Sequence, residues 1–482
     1  TLDPFMIKKV LVANRGEIAI RIFHTLHEMD IQTAAVFTEA DARSLHVRRA
    51  DQAFSIDSYL NADAIIQAAK ECGAEAIHPG YGFLSENVRL ASACESSRIK
   101  LIGPRSDTIR GMGDKLESKR LMMKAGVPVV PSWDETPPES EFPVLVKAVG
   151  GGGGKGMRLV EHPSQLAEAK ASASREAGKA FGDDRVFVEK YVRTPRHIEF
   201  QVFGDTHGNV IHLFERECSI QRRHQKIVEE TPSPALTPEL RSRMGEAAVA
   251  AAKAVNYVNA GTVEFILDAD GRFYFLEMNT RLQVEHPVTE MTTGLDLVRE
   301  QVRVADGQHL SIRQSELRQS GHSIECRIYA EVPEENFRPD IGTVTIYRPP
   351  LGPGIRLDSG IEESSEVSFH YDPMLAKLVV WASSRDAAIE RMQRALSEFA
   401  LLGVRNNIEF LNRVISHPEF RAGKIDTQFL ERHSDLMRPP VRNTPVEALL
   451  AASLASAAPA QSTTGRGPAF TDVWTSGPWR IS

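Results

Sequence analysis

Residues 146–160 read "VKAVGGGGGKGMRLV", five successive glycines followed by Lys155 and Gly156 between two runs of β-formers. The flanks "FPVLVKAV" and "GMRLVE" lie close enough together to pair as a hairpin, whereas a flexible linker of this composition would carry serine and sit between domains. Bare backbone lets successive N–H groups point into one concavity, and such a nest binds anions. Lys147 and Lys155 would add point charges for the same anion, so the segment reads as a phosphate loop. It is not a Walker A loop: Lys155 is followed by glycine rather than Ser or Thr, and Val149 stands where that motif needs glycine.

Upstream, "KKVLVAN" reads as a strand and "GEIAIRIFHTLHEM" as a helix with Ala19, Ile22, Phe23 and Leu26 at helical spacing. The short strands "TAAVFT", "AFSI", "AEAIH" and "KLIGP" follow, with the helices "ADAIIQAAKEC" and "ENVRLASACESS" among them. Residues 6–115 therefore predict a doubly wound, Rossmann-like α/β subdomain, whose ligands gather at the carboxyl ends of strands. An NAD site is excluded there, since Gly16 lacks the second and third glycines of the dinucleotide fingerprint. The loop "HPGYGFLSEN" reads as a Gly/Pro turn leading into a helix capped by Ser85.

A connecting helix is expected over 116–130, a small β-rich subdomain over 131–204, and antiparallel strands mixed with helices, an α+β pattern, over 205–443. Residues 444–482 read as a linker and the start of a following domain cut off at Ser482, and residues 1–5 as a vector remnant before Met6.

With 482 residues, 42% hydrophobic and 25% charged, and a net charge of -7, the chain reads as a multidomain globular protein rather than a disordered one or a general nucleic-acid binder. Cys72, Cys94, Cys218 and Cys326 lie far apart, which argues against a disulfide framework or a zinc ribbon and suits a reducing cytosol. No apolar run is long enough for a membrane span.

Two further segments carry chemistry. In "GTVEFILDADGRFYFLEMNTR", a two- or four-residue loop at "DADG" would set Glu264 opposite Phe275 with Glu277 one pleat further on the same face, near enough for both to hold a hard cation. A three-residue loop would shift that register, and two ordinary solvent-facing acids are the plain alternative. Asn279 and Arg281, following Glu277, favour a site for Mg2+ and phosphate. The run "ERECSIQRRHQKIVEE" concentrates Gln221, Arg222, Arg223, His224 and Lys226, and as a bare charge run it reads equally well as a solvated face.

Taken together, "VANRGEIAIR", "AIHPGYGFLSEN", "GDK", "VKAVGGGGGKGM", "PRHIEFQV", "ECSIQRRHQKIVEE", "GTVEFI" and "FLEMNTRLQVEHPVTE" resemble the biotin carboxylase component of biotin-dependent carboxylases, within the ATP-grasp superfamily. The resemblance spans residues 6 to about 440, and "DVWTSGPWRIS" looks like the start of the next domain in acyl-CoA carboxylase α chains. It implies an ATP-grasp fold in which the glycine hairpin belongs to a mobile lid. It also implies a ligase that activates bicarbonate with ATP to carboxyphosphate and carboxylates biotin.

By this resemblance Lys115, Lys147 and Gly151, Gly152, Gly153 and Gly154 contact ATP phosphates, Glu189, Lys190 and Val192 line its base, His197, Gln221 and His224 lie near ribose and phosphates, and Ile266 belongs to the same ATP site. Glu264, Glu277 and Asn279 match the Mg2+ ligands, with Mn2+ as a substitute ion. Lys226, Arg281, Gln283 and Val284 match the bicarbonate pocket, Glu285 the base and Arg327 the stabiliser of biotin enolate; Lys226 and Arg281 count with these two as catalytic.

The implied partners are a biotin carboxyl carrier, because no biotin-attachment sequence occurs, and a carboxyltransferase, in a homodimer or larger hetero-oligomer. The implied location is the cytoplasm, or the mitochondrial matrix in a eukaryote, without nucleic acid or membrane. Alternatives are another bicarbonate-activating ATP-grasp ligase, of the carbamoyl-phosphate synthetase kind, and a non-catalytic ATP-binding subunit. One departure is the short connector "PSWDETPPESEF" before the glycine strand, which bears on the lid hinge.

Overall fold

The computed structural model describes residues 6–133, 136–150, 156–223, 225–438, 446–447, 449–450 and 453. The expectations for residues 1–5, Gly151 to Gly154, Lys155, His224 and most of 444–482 lie outside the described residues. The chain divides into two units, Thr1–Arg438 and Pro439–Ser482. In the second, the described residues are helical, and Ser453 Oγ donates to the Leu449 carbonyl.

In the first unit, the strand Lys9–Val12 lies centrally in a five-stranded sheet, flanked on one side by Gln32–Phe37 and Gln52–Ser55 and on the other by Ala76–His78 and Lys100–Leu101. All four pairings are parallel. Alternation explains the burial: Val10 and Val12 join one apolar cluster with Ile18, Ile22 and Leu26 of the first helix, while Leu11 and Ala13 join another with Ile65 and Ile77. Both faces are thus covered, as a parallel sheet requires. The helix Val88–Ser97 is capped by Asn87, whose side chain accepts from the Arg89 and Leu90 amides, and not by Ser85 as expected. Asn87 directly precedes the first helical residue, where a short side-chain oxygen reaches those amides.

The glycine segment's flanks pair as a hairpin, Val144 with Val160 and Val146 with Arg158, inside a four-stranded sheet running from Ser132 to Lys190. Gly156 has φ +72°, and a Cβ there would approach the Ala148 Cβ to 2.9 Å, so close strand packing demands glycine. The next strand, Arg196–Gly204, belongs to a different sheet, so the change of sheet falls earlier than the expected boundary at 204.

That larger sheet has eight strands, and all its pairings are antiparallel. One face of its far half is apolar: Ile324, Cys326, Ile328, Leu378 and Val380 pack beneath the helices Arg385–Glu398 and Ile408–Ser416. The other face is buried yet charged, carrying Glu229, Glu325, Arg327, Lys377, Arg356 and Asp358 on adjacent strands. The helix His286–Thr293 packs against those strands.

The hairpin of Asn259–Leu267 and Phe273–Asn279 corrects the expected register. Its loop has three residues, Ala269 to Gly271, closed by the Asp268 amide donating to the Arg272 carbonyl, and Phe265 faces Phe275. A bulge between Glu264 and Phe265 then admits Leu276 as the extra residue and sets Glu264 directly opposite Glu277. The loop shifts the register by one residue and the bulge shifts it again, so the two acids still share a face. Gly271 sits at φ +80° with open space around a would-be Cβ. Gly271→Ala should therefore cost about 1 kcal/mol through the left-handed backbone alone, read by denaturant titration, with Gly271→Asn costing less; equal stability of all three would mean that the loop relaxes.

Candidate active site

Register across four strands makes one row of charge: Arg216 is opposite Glu199, Glu199 opposite Glu264, and Glu264 opposite Glu277. In "RHIEFQVFG" the polar residues His197, Glu199 and Gln201 alternate with Ile198, Phe200 and Val202, which are fully buried in the apolar cluster below. That period-two pattern was the available signal for Glu199, which sequence reasoning missed. Arg216, also missed, is fully buried; its guanidinium pairs with Glu199 and donates to Gln201 at 2.8 Å and Thr289 at 3.0 Å. The solvated-face reading of "ERECSIQRRHQKIVEE" therefore fails at both ends: residues 215–220 and 227–230 are buried, and among the described residues of the run only Arg223 is exposed.

A cleft of about 540 Å3 opens over this row. It is lined by Lys115, Lys147, Glu189, Lys190, Val192, His197, Gln221, Lys226, Glu264, Ile266, Glu277, Asn279, Arg281, Gln283, Val284 and Arg327. The structure thus brings together nearly every described candidate. Glu285 does not line the cleft; it is buried behind Lys226 and Arg327.

Lys226 is the hub. Its ammonium reaches Glu199, Glu264 at 2.7 Å and Glu285 at 2.8 Å. Burial alone would lower its pKa, but the three carboxylates raise it well above the ordinary lysine value. The same logic reversed holds Glu285: burial would push its carboxyl up, yet Lys226 at one oxygen and Arg327, 2.9 Å from the other, keep it well below the usual range. Arg327 in turn pairs with Glu229 at 2.7 Å.

Glu264 and Glu277 differ although they face each other. Glu264 accepts from His197 Nε2 at 2.8 Å, Lys226 at 2.7 Å, Asn279 Nδ2 at 2.7 Å and Gln283 Nε2 at 3.2 Å. Its carboxyl is held low against burial, chiefly by Lys226 and His197. Gln221 Nε2 donates to His197 Nδ1 at 2.7 Å and to the Cys218 carbonyl at 2.8 Å, so the proton of the His197 ring faces Glu264. No described residue donates a hydrogen bond to Glu277, whose carboxyl is pushed up by burial and then by the Glu264 charge. An acid that accepts no hydrogen bond from a described residue, beside an ionised one, is a donor set that a hard divalent cation can take, neutralising both. The Asn279 Oδ1 is engaged by Arg281 at 3.1 Å.

Arg281 also bonds Gln283 Oε1 at 2.8 Å and Glu86 at 2.9 Å, a contact from the loop "HPGYGFLSEN" that had read as a plain turn. At the other end, Glu189 bridges Lys147 at 2.8 Å and Lys119, one helical turn beyond Lys115. These lysines hold the Glu189 carboxyl down despite its burial.

Residues 6–109 match the biotin carboxylase N-terminal domain, 114–313 the ATP-binding domain of the carbamoyl-phosphate synthase L chain, and 325–432 the biotin carboxylase C-terminal domain. The α subunit of mitochondrial methylcrotonoyl-CoA carboxylase from Rattus norvegicus is 52% identical over 449 residues, 89% of this chain but 63% of the relative. The chain thus spans less than two thirds of that protein's length. The biotin carboxylase of Nostoc is 50% identical over 88% of this chain and 98% of its own. The biotin carboxylase domain dimer of Hydrogenobacter thermophilus 2-oxoglutarate carboxylase, solved with MgADP, ADP and bicarbonate, superposes with a TM-score of 0.87 at 48% identity, over 90% of this chain and all of that one. On this agreement of sequence, fold and cleft, the chain belongs to the biotin carboxylase family.

Proposed function

We propose that this chain uses ATP and bicarbonate to carboxylate the ureido nitrogen of biotin on a separate carrier, the first half-reaction of a biotin-dependent acyl-CoA carboxylase. The observation that carries this reading is one cleft joining two facing carboxylates, Glu264 and Glu277, to the cationic group Lys226, Arg281 and Arg327. The pair fits Mg2+, which when bound neutralises the triphosphate. Lys115 and Lys147 take phosphates once Lys147 leaves Glu189; Lys226 and Arg281, with Gln283 and Val284, hold bicarbonate.

A bicarbonate oxygen attacks the γ-phosphorus, ADP leaves, and the proton passes to Glu285. The carboxyphosphate so formed breaks to CO2 and phosphate inside a cleft that excludes water, with the four-stranded sheet from Ser132 to Lys190 acting as a lid. The phosphate released in that step takes the ureido proton of biotin, Arg327 balances the enolate, and the nitrogen takes CO2. The carrier and the carboxyltransferase are other domains or chains, and the unit pairs as a dimer. Among the described residues no helix is long and apolar enough to cross a membrane.

Purified chain should hydrolyse ATP slowly, only with Mg2+ and bicarbonate present, and faster with free biotin. Turnover with ammonia as the productive acceptor and no response to biotin would move the assignment to a carbamoyl-phosphate type of ligase; no turnover at all would favour a non-catalytic subunit.

A further inference from the structure

Lys377 is 0% exposed, on the strand Met374–Ala382. It stands opposite Arg327 on one neighbouring strand and Asp358 on the other, so its side chain belongs to the charged face beneath the helix His286–Thr293. Its ammonium donates to the Val284 carbonyl at 2.9 Å and lies 3.3 Å from a Glu17 oxygen and 3.8 Å from an Asp358 oxygen. Asp358 is otherwise satisfied by Arg356 at 2.8 Å, and neither oxygen of Glu17 has a hydrogen-bond partner among the described residues. The one well-made bond of this buried ammonium is therefore to backbone.

That backbone is the turn between the strand ending at Asn279 and the helix beginning at His286. No described backbone N–H reaches the Val284 carbonyl. Gln283 and Val284 line the cleft, and Glu285 leaves the turn immediately afterwards to meet Lys226 and Arg327. Burying a lysine is costly unless its charge is paired and its protons are bonded, and a methionine would fill the same space without that penalty, though it would leave the Glu17 carboxylate without its nearest cation. What methionine cannot do is hold the carbonyl.

We infer that Lys377 is a positioning residue for the anion end of the cleft: by fixing the Val284 carbonyl it sets the Gln283–Glu285 turn and so the geometry in which a small planar anion is gripped. It touches neither the anion nor ATP. This inference rests on the proposed bicarbonate activity and names a further residue on which that activity depends.

The test is Lys377→Met, assayed by bicarbonate-dependent ATP hydrolysis with each substrate varied in turn. Losing a hydrogen bond from a charged donor corresponds to roughly a tenfold effect or more. The expected result is a bicarbonate KM raised about tenfold or more, with the ATP KM changed less than about twofold. A merely structural lysine would lower thermal stability and move both constants together, or neither, and either result overturns the role. Lys377→Gln covers the case in which the methionine variant does not fold: its shorter arm cannot reach Val284, so the same selective rise is expected. Titration of 13C-bicarbonate by NMR without ATP separates this inference from the activity. Bicarbonate binding without turnover in the native chain would sink the activity alone, and the variants must then weaken that binding selectively. No bicarbonate binding in the native chain would overturn both.

Discussion

Glu285→Gln should lower bicarbonate-dependent ATP hydrolysis by roughly 10²–10⁴-fold while nucleotide affinity persists, because the amide keeps size and one accepting oxygen but cannot take a proton. The geometry adds a condition. Both carboxylate oxygens are occupied, one by Lys226 at 2.8 Å and one by Arg327 at 2.9 Å, and these cations hold the group well below the usual carboxylate range. In the proposed role Glu285 would thus be a poor base until bicarbonate enters and draws Lys226 towards itself, so the anion that needs deprotonating would also raise the basicity of the group that deprotonates it. The substitution leaves Lys226 and Arg327 short of a counter-charge, so a lower thermal midpoint is expected alongside the lost activity. Near-normal hydrolysis in a folded Glu285→Gln chain would leave Glu285 as a structural counter-ion only.

The second large effect has opposite signs in two measurements. Glu277 has a carboxyl pushed up by burial and by the Glu264 charge. A carboxyl whose folded pKa lies above its unfolded value contributes stability below the unfolded pKa and loses it as pH rises through the folded one. At neutral pH the metal-free chain therefore carries a penalty at this site, and Glu277→Gln should raise its thermal midpoint. The same change removes a charge that a divalent cation needs. The Mg2+ concentration for half-maximal ATP hydrolysis should rise at least about 10–100-fold, the range seen when groups that only support metal ligands are lost. Melting with and without Mg2+, beside the activity titration, reads both signs. A variant less stable without metal, with unchanged Mg2+ dependence, would mean that Glu277 is an ordinary structural acid. Glu264→Gln is a poorer probe because it also breaks contacts to His197, Lys226, Asn279 and Gln283.

Both experiments concern residues that were legible before any coordinates, and the contrast with Glu199, Arg216 and Lys377 shows where legibility stops. Glu264, Glu277 and Glu285 stand in segments whose motifs mark them. Arg216 lies in a run that reads as solvated charge, and nothing in the local pattern around Lys377 distinguishes it from a half-exposed strand lysine. Side-chain period shows which positions share a face, but not whether a buried polar face will find its counter-charges.

The amino-acid sequence by itself determined the strands and longer helices of the N-terminal parallel sheet, the glycine hairpin and the acids of the Glu264–Glu277 hairpin, because each is set by contacts within a few residues or by periods of two and 3.6. Tertiary structure alone decided the bulge that puts Glu264 against Glu277, the double pairing of Glu285, and the bond from Lys377 to Val284. The last two depend on distant partners: Glu285 meets Lys226 and Arg327, 59 and 42 positions away, and Lys377 meets Val284, 93 away. A charge is tolerated in a low-dielectric interior only where the fold delivers its opposite, and that delivery is a property of the whole chain's path rather than of any stretch of it.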